Sequence, residues 1–305
     1  MADQSAPSPA SDSRTRDSDT AIPASRREFR FERKHFDFIA GLLYRLAGIH
    51  LAPHKIEMMY SRLARRLREL GLKDFDAYCA RLESEKAEDE IGFLVNALTT
   101  NLTSFFREQH HFDHLGKTVL AVVREAQAHH SPPRLRIWSA GCSSGPEPYT
   151  IAMMLCAHIP DLRRWDARIL ATDIDTHMVA TAERGVYPAD SLKTIPSDLR
   201  ERFTKRVRNS HGEPEITMAD ELRRLITFKP LNLLEPWPMR GPFDAIFCRN
   251  VMIYFDRPGR MAVIEKFADL LPPGAFLYLG HSESLYGVSG KFSQVGATIY
   301  RRIGS

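Results

Sequence analysis

The chain has few cysteines and no long apolar segment, and these absences exclude several classes of protein. Its 305 residues contain only Cys79, Cys142, Cys156 and Cys248, with no C-x-x-C pair. A disulfide framework or a zinc site is therefore not expected. No run reaches the roughly 18 apolar residues that span a bilayer, and the N-terminus lacks the apolar core of a secretory signal. The sequence predicts a soluble, cytoplasmic protein with no direct membrane insertion.

The chain also lacks a strong net charge, because its formal net charge at pH 7 is only +4. This value is too small to predict nucleic-acid binding. The basic residues are nevertheless concentrated, since the segment from Arg26 to Arg81 holds 13 Lys and Arg against 7 Asp and Glu. This asymmetry predicts an acidic partner for the N-terminal third of the chain.

Composition and periodicity divide the chain into three segments. Residues 1–28 are rich in Ser, Ala, Pro and Asp and predict a disordered tail. In residues 29–130 apolar residues recur at helical spacing without a strand pattern, which predicts an all-α N-terminal domain and a linker. In residues 131–305 short apolar runs alternate with helical stretches, which predicts an α/β domain with a parallel sheet.

The α/β segment contains one irregular region and a distinct C-terminal end. Its predicted strands are 135–138, 168–172, 243–248 and 275–279. The run 292–302 indicates an antiparallel hairpin or edge pair. Between about 188 and 228 the alternation of strand and helix is interrupted, which predicts a small inserted β-subdomain.

A glycine-serine loop follows the first predicted strand. It runs from Gly141 to Gly145 and leads into a helix that begins with Pro146 and Glu147. Such a loop lets a ligand approach the backbone, but the spacing is G-x-x-x-G rather than the dinucleotide pattern, and Glu147 would repel a pyrophosphate. S-adenosylmethionine carries an ammonium and a sulfonium and no phosphate, so it fits better. An ordinary strand-to-helix turn is the alternative.

Polar residues also follow two further strands. Asp173 ends the second strand and is predicted to accept hydrogen bonds from ribose hydroxyls, whereas Asp175 is predicted to cap the next helix. Arg249 and Asn250 follow the strand 243–248, where open α/β sheets bind ligands. The Asn/Asp-Pro-Pro-aromatic sequence of DNA and RNA amino-methyltransferases is missing there, which argues against nucleic acid.

The remaining candidates are a polar segment and several histidines. The segment from Asn101 to Glu108 could form a lid edge, with Phe105 and Phe106 in the interdomain core. His110, His111 and His114 are helix-spaced, but no carboxylate and no distant His completes a metal set, so a solvated or packing role is predicted and no metal. His281 follows a predicted strand and is expected to line the site.

These segments together resemble the CheR-type chemotaxis receptor glutamate methyltransferases. The matching blocks are 101–108, 138–152, 171–187, 228–234, 241–256 and 280–284. The resemblance implies an all-α N-terminal domain before a Rossmann-like methyltransferase domain with a small inserted β-subdomain. It implies S-adenosyl-L-methionine as cofactor, S-adenosyl-L-homocysteine as product and receptor glutamates as substrate. The family usually has two acids before the Pro-Tyr of the glycine loop, and here the first position is Pro146.

The resemblance also implies roles for individual residues. Arg107 and Tyr254 are similar to the pair beside the transferring methyl group, and the β-subdomain is similar to one that binds a receptor C-terminal peptide. The basic helix that resembles the receptor-docking helix carries Arg62, Arg65, Arg66 and Arg68. The implied cofactor contacts are Asn101, Thr103, Arg107, Glu147, Asp173, Asn232, Leu233, Arg249 and Asn250.

Two other functions remain as alternatives. The first is a methyltransferase acting on a small molecule or a nucleic acid. The second is a non-catalytic sensor of the cofactor or its demethylated product, against which the presence of both Arg107 and Tyr254 argues.

Overall fold

The computed structural model describes residues 27–84, 87–99, 101–127 and 131–304. The tail predicted for residues 1–28 lies outside this description, apart from its last two residues. Arg27 forms an ion pair with Glu57, and its guanidinium lies 5.0 Å from the ring centroid of Tyr60. The beginning of the described chain is thus attached to the first folded segment.

Four amphipathic helices form the N-terminal part of the fold. They are α1 Arg33–Ala47, α2 Ile56–Leu70, α3 Phe75–Leu82 and α4 Glu88–Leu98. Their apolar faces meet in one core, in which Ile39, Leu63 and Phe75 are fully buried. Gly71 ends α2 with a φ of 64°, the left-handed conformation that glycine adopts readily. This core confirms the predicted all-α domain. Among the described helices, none has both the length and the apolarity needed to cross a membrane.

A seven-stranded sheet forms the second part of the described fold. Its strands are β1 Arg134–Ala140, β2 Asp166–Asp173, β6 Ile226–Pro230, β7 Ala245–Cys248, β8 Phe276–Leu279, β9 Phe292–Gly296 and β10 Ile299–Arg302. Their order in the sheet is β6-β2-β1-β7-β8-β10-β9. The first five strands in this order are parallel, and β10 and β9 add an antiparallel edge. This topology confirms the Rossmann-like α/β prediction and the C-terminal hairpin.

Helices cover both faces of this sheet. They are α5 His110–His114, a π-helical turn Leu115–Val119, α6 Leu120–Ala126, α7 Pro146–His158, α8 Thr176–Arg184 and α11 Arg257–Leu270. The residues of α5 and α6 share the core of the α/β domain, and the rings of Phe112 and Phe247 stack at 5.9 Å. Residues 105–127 therefore pack with the sheet and not with the N-terminal helices, although helical periodicity grouped them with the latter. Residues 128–130, at the predicted boundary, lie outside the described residues.

The inserted subdomain is a three-stranded antiparallel sheet. It comprises β3 Val186–Pro188, β4 Thr204–Arg208 and β5 Pro214–Met218, with α9 Ser197–Phe203 and α10 Asp220–Arg223 beside them. The strand order is β3-β5-β4, so β4 is an edge. The predicted insertion ended at about residue 228, but Phe228 lies in β6 of the large sheet, where it pairs with Ala171. The apolar pattern of β6 is too short to reveal this long-range pairing.

Candidate functional site

A cleft of about 310 Å³ lies at the carboxyl ends of the central strands. It occupies the crevice where open α/β sheets bind ligands, beside the point at which strand order reverses around β1. Ala47 and Ile49 of the N-terminal domain line the opposite wall. All ten residues predicted for cofactor binding and catalysis line this cleft, namely Asn101, Thr103, Arg107, Glu147, Asp173, Asn232, Leu233, Arg249, Asn250 and Tyr254.

The glycine loop after β1 forms one wall of the cleft. Gly141 has a φ of 88°, and a Cβ added there would lie 2.3 Å from Val251 Cγ2. Gly145 has a φ of 102°, and its added Cβ would lie 2.7 Å from Tyr187 Oη. Side chains are therefore excluded on both conformational and steric grounds. Pro146 occupies the first turn of α7, where its missing N–H costs nothing.

The two aspartates at the end of β2 have different surroundings. Asp173 accepts hydrogen bonds from the backbone N–H groups of Ser143, at 2.7 Å, and Asp175, at 2.9 Å. Burial raises the pKa of Asp173 to about 6, against the opposing effect of these hydrogen bonds. Asp175 caps α8 through the N–H groups of His177 and Met178, which confirms the capping prediction.

Asn101 and Asn232 connect the two domains at the cleft. The Asn101 amide donates to Asp175 Oδ2 at 2.7 Å. The Asn232 amide donates to the carbonyl of Leu46, at the end of α1, at 3.1 Å. Leu233, the next residue, is buried and supplies an apolar part of the wall. These contacts fix the N-terminal helices over the sheet.

A buried ion cluster lies at the base of the cleft. Arg249 Nη1 donates to Glu147 Oε2 at 3.0 Å, and Arg249 Nη2 lies 3.3 Å from Glu108 Oε2. Ser139 Oγ donates to Glu147 Oε1 at 2.6 Å. Burial raises the pKa of Glu147, and the charge of Arg249 limits this rise. Two carboxylates thus share one guanidinium away from solvent.

Glu108 was missed by the analysis of the sequence. Burial alone would raise the pKa of its carboxyl, but the charge of Arg249 and hydrogen bonds from His281 outweigh this effect, so the pKa is lowered. The backbone of Glu108 has a φ of 58°, in the left-handed region. In the sequence, only the position of Glu108 directly after Arg107 could have suggested a role at the site. Neither its backbone conformation nor its ion pair can be deduced from local sequence.

Glu283 is a second residue that the sequence did not single out for a role. Its Oε2 atom accepts hydrogen bonds from the backbone N–H groups of Asn250, at 2.9 Å, and Gly280, at 2.6 Å. The side chain is buried, and burial raises its pKa. Glu283 therefore joins the segments after β7 and β8 and holds Asn250 at the cleft.

Arg107 and Tyr254 lie at the mouth of the cleft. The guanidinium of Arg107 donates to the carbonyl of Leu102 at 2.8 Å. Tyr254 ends a short 3₁₀ turn after β7, and its backbone carbonyl accepts a hydrogen bond from the N–H of His50. Leu102 and Ile253 expose apolar side chains at the same rim. The mouth thus combines a cation and a phenol with apolar surface.

The four arginines of α2 lie away from the cleft lining, and they fall into two pairs. Arg62 donates to the carbonyls of Ala97 and Thr99, and Arg66 forms an ion pair with the buried Glu90 at 2.8 Å. Arg65 and Arg68 instead point to solvent and make only exposed ion pairs. The solvated basic face is therefore narrower than the sequence predicted.

Of the clustered histidines, His111 and His114 are packed against the sheet and His110 is exposed, which agrees with the solvated or packing roles predicted for them. His111 is fully buried, and its ring contacts Thr298 Oγ1 at 2.9 Å. His114 contacts the hydroxyl of Tyr278 at 2.9 Å. Burial lowers the pKa of His111 to about 3. Within the residues that the structure describes, no group of His, Cys, Asp and Glu side chains has the arrangement of a metal site.

The donor set of the cleft fits S-adenosylmethionine. Asp173 and Glu147 place two carboxylates near the glycine loop, where ribose hydroxyls and an ammonium group can be recognised. Gly141, which has no side chain, lines the cleft with its backbone. Buried polar atoms of Arg249 and Glu108, the Nε and Oε2 atoms, lack hydrogen bonds within the protein. The residues present therefore satisfy the chemistry of this cofactor.

Comparison with known proteins gives concordant matches over both domains. A family model described as "CheR methyltransferase, all-alpha domain" matches residues 34–99. A second, described as "CheR methyltransferase, SAM binding domain", matches residues 101–301. The second match begins close to where the hydrophobic core of the α/β domain begins.

Whole-chain relatives show the same similarity. The chain is 41% identical to a chemotaxis protein methyltransferase of Klebsiella aerogenes, over 93% of this chain and 95% of the relative. It is 43% identical to chemotaxis protein methyltransferase 2 of Pseudomonas aeruginosa, over 90% and 94%. It is 42% identical to the chemotaxis protein methyltransferase of Escherichia coli, over 87% and 90%.

Proposed function

Because this chain belongs to the CheR methyltransferase family, and is an S-adenosylmethionine-dependent protein-glutamate O-methyltransferase, we propose a specific role for each part of its cleft. Asp173 and Glu147 bind the cofactor, and Arg107 and Tyr254 receive a glutamate side chain of a chemotaxis receptor in the cytoplasm. The observation that carries this proposal is the convergence of all four residues on one cleft.

The chemistry requires positioning more than proton transfer. A glutamate side chain has a reference pKa of about 4.3, so it is already an anionic nucleophile at neutral pH. S-adenosylmethionine supplies a methyl group on a sulfonium, and a carboxylate oxygen bonds to that methyl carbon as the carbon–sulfur bond breaks. Arg107 holds the carboxylate through charge-assisted hydrogen bonds, and Tyr254 fixes its orientation. Alignment of this kind contributes about 7–11 kcal/mol in favourable cases.

The function is tested by transfer of a tritiated methyl group. Purified protein is incubated with labelled S-adenosylmethionine and, in separate reactions, a receptor cytoplasmic domain, DNA and a mixture of free metabolites. We expect label only on the receptor, released as methanol by mild base because the product is an ester. Base-stable label, or label on DNA or metabolites, would contradict the proposed substrate. Cofactor binding without any transfer would support a sensor instead.

Cofactor affinity is expected to fall in mild acid because of Asp173. Ribose hydroxyls donate to the ionised carboxylate, and this carboxyl has a pKa of about 6 in the protein. The folded-state pKa is raised, so protonation occurs as the pH falls through 6, and the Kd for S-adenosylhomocysteine should rise about tenfold between pH 7 and pH 5. Calorimetric titration across this range measures the change. Asp173→Asn should bind weakly at both pH values, and a tenfold change that persists in this variant would exclude Asp173 as its source.

The receptor-docking role is assigned to the solvent-facing pair Arg65 and Arg68. Both arginines are exposed and have no structural role in the helical core. Their positive charges can therefore attract an acidic surface of the receptor. We expect the double charge reversal Arg65→Glu/Arg68→Glu to raise the KM for receptor several-fold at low salt and to leave S-adenosylhomocysteine affinity unchanged. The difference from wild type should shrink in high salt. An unchanged salt dependence would identify α2 as a merely solvated helix.

Arg62 and Arg66 serve a different purpose in this assignment. Arg66 pairs with buried Glu90, so its reversal would place like charges together inside the helical domain. Arg66→Glu should therefore lower the melting temperature, whereas the Arg65→Glu/Arg68→Glu variant should not. This contrast separates docking from folding.

The β-subdomain offers an edge for a receptor tail peptide. Among the residues that the structure describes, strand β4 pairs with β5 and has no strand on its other side, and Lys205, Arg206 and Arg208 are exposed along it. An extended acidic peptide could add a strand there through main-chain hydrogen bonds. Titration of such a peptide into wild type and Arg206→Glu tests this assignment, with weaker binding expected for the variant.

A further inference from the structure

His281 lies at the mouth of the cleft and has no part in the roles assigned above. It follows β8 directly after Gly280, and its side chain is 65% exposed. It lines the same cleft as Arg107 and Tyr254. Among the residues that line the described cleft, His281 is the one histidine, and it lies where a carboxylate must enter.

The ring of His281 is oriented by Glu108. Its Nδ1 atom lies 3.1 Å from Glu108 Oε1, and the backbone N–H of His281 donates to the same oxygen at 3.3 Å. The Glu108 carboxyl has a lowered pKa and accepts hydrogen bonds, so Nδ1 carries the proton. Within the part of the chain that the structure describes, no hydrogen bond involves Nε2 of His281. That atom is therefore left for a ligand at the cleft mouth.

We propose that His281 is a substrate-binding residue whose Nε2–H donates to the receptor glutamate carboxylate, on the oxygen that does not attack the methyl group. This inference rests on the proposed function, since it names a second contact to the same acceptor. Arg107 and His281 would together hold both carboxylate oxygens. Two contacts of this kind favour one rotamer of the receptor glutamate, whose side chain has three rotatable bonds.

Methyl transfer then weakens the proposed hydrogen bond between His281 Nε2–H and the receptor glutamate. One carboxylate oxygen forms the bond to the methyl carbon, and the electron pair of the broken carbon–sulfur bond stays on sulfur. The other oxygen becomes the carbonyl oxygen of a neutral ester and loses its negative charge. A charge-assisted hydrogen bond thereby becomes an ordinary one, which favours release of the methylated side chain.

The charged groups around His281 define the form of the ring that the proposal requires. Glu108 faces Nδ1, while Arg249 and His111 lie behind Glu108 and face its other oxygen. Arg107 and Tyr254 share the cleft with His281. A receptor carboxylate at Nε2 would place the ring between two carboxylates, so the proposed contact is that of a ring that carries a proton on both nitrogens.

The test compares His281→Ala and His281→Gln with wild type and with the control His177→Gln. His177 is an exposed residue of α8 whose side chain lies outside the cleft lining. Receptor methylation is measured at pH 6.5 and at saturating S-adenosylmethionine. The Kd for S-adenosylhomocysteine is measured by calorimetry in parallel.

We expect His281→Ala to raise the receptor KM about tenfold at pH 6.5, with kcat and the S-adenosylhomocysteine Kd changed by less than about threefold. His281→Gln keeps a neutral donor near the position of Nε2, so its receptor KM should be intermediate.

Two results would overturn the inference. One is a receptor KM in His281→Ala that matches the values of wild type and His177→Gln. The other is an equal loss of S-adenosylhomocysteine affinity, which would identify His281 as a support for Glu108 and not as a contact to substrate. If wild type itself transfers no methyl group to receptor, the proposed function fails and this inference fails with it. Normal wild-type transfer confines the failure to His281.

Discussion

Replacement of Arg249 by Met is expected to lower the free energy of unfolding at pH 7.5 by about 3–5 kcal/mol. The guanidinium is buried between Glu147 and Glu108, and its removal takes the cationic partner away from two carboxylates whose side chains are only 10% and 12% exposed. Breaking a buried ion pair costs more than the pair contributes, because the remaining charge stays desolvated. Denaturant unfolding measured by circular dichroism gives this value.

The pH dependence of the lowered free energy of unfolding identifies why Arg249→Met is destabilised. Without Arg249, the folded-state pKa of Glu147, which burial already raises, rises further, and the Glu108 carboxyl loses the charge that lowers its pKa. The deficit should be complete above that raised pKa and should shrink as the pH falls and the carboxyls take up protons. Arg163→Met, at an exposed arginine, is the matched control and should change stability by less than about 0.5 kcal/mol. A deficit that is constant from pH 5 to pH 8 would exclude unpaired carboxylates as its source.

The Arg249→Met/Glu147→Gln double variant separates charge from packing. Neutralising Glu147 removes one of the two unpaired charges, so part of the lost stability should return. The Ser139 hydroxyl can still donate to the amide oxygen of the new side chain. A double variant that is less stable than the single one would show that packing around Glu147 dominates.

The second large effect is expected at the cleft mouth, where Arg107→Met should lower kcat/KM for receptor about a hundredfold or more. The guanidinium is the cation that we assign to the incoming carboxylate, and methionine keeps most of the volume without the charge. Affinity for S-adenosylhomocysteine should fall much less. Arg124→Met, at an exposed arginine of α6, should show wild-type kinetics. Near-normal turnover of Arg107→Met would exclude Arg107 from substrate binding.

Tyr254→Phe tests whether the Tyr254 hydroxyl orients the receptor carboxylate, separately from the positive charge that Arg107 supplies at the cleft mouth. The phenol hydroxyl is lost while the ring is retained, so we expect a lower kcat with a smaller effect on cofactor binding. Pre-steady-state transfer of labelled methyl to receptor measures the chemical step directly. Wild-type turnover in this variant would remove Tyr254 from the mechanism.

Much of the site could be predicted from short segments of sequence. The carboxyl ends of parallel strands meet at one edge of a sheet, so Asp173, Arg249 and the glycine loop could be placed together once the strands had been identified. Asp175 could be assigned as a cap from its position before a helix. These predictions depend on local pattern and on one general rule of topology.

Other features depend on contacts between distant segments. The assignment of residues 105–127 to the α/β core follows from stacking such as that of Phe112 on Phe247, which helical periodicity cannot show. Likewise, β6 is identified by its pairing with β2. Arg65 and Arg66 are neighbours in sequence, yet Arg65 faces solvent and Arg66 faces buried Glu90.

The sequence by itself determined the α/β class, the helical N-terminal domain and the residue types of a cofactor cleft, because periodicity and strand-end position are local properties. Tertiary structure alone decided which charges are paired. Glu108 became significant only when Arg249 and His281 were found against its two oxygens. Electrostatic interaction depends on distance and burial, and both are set by parts of the chain more than 100 residues apart.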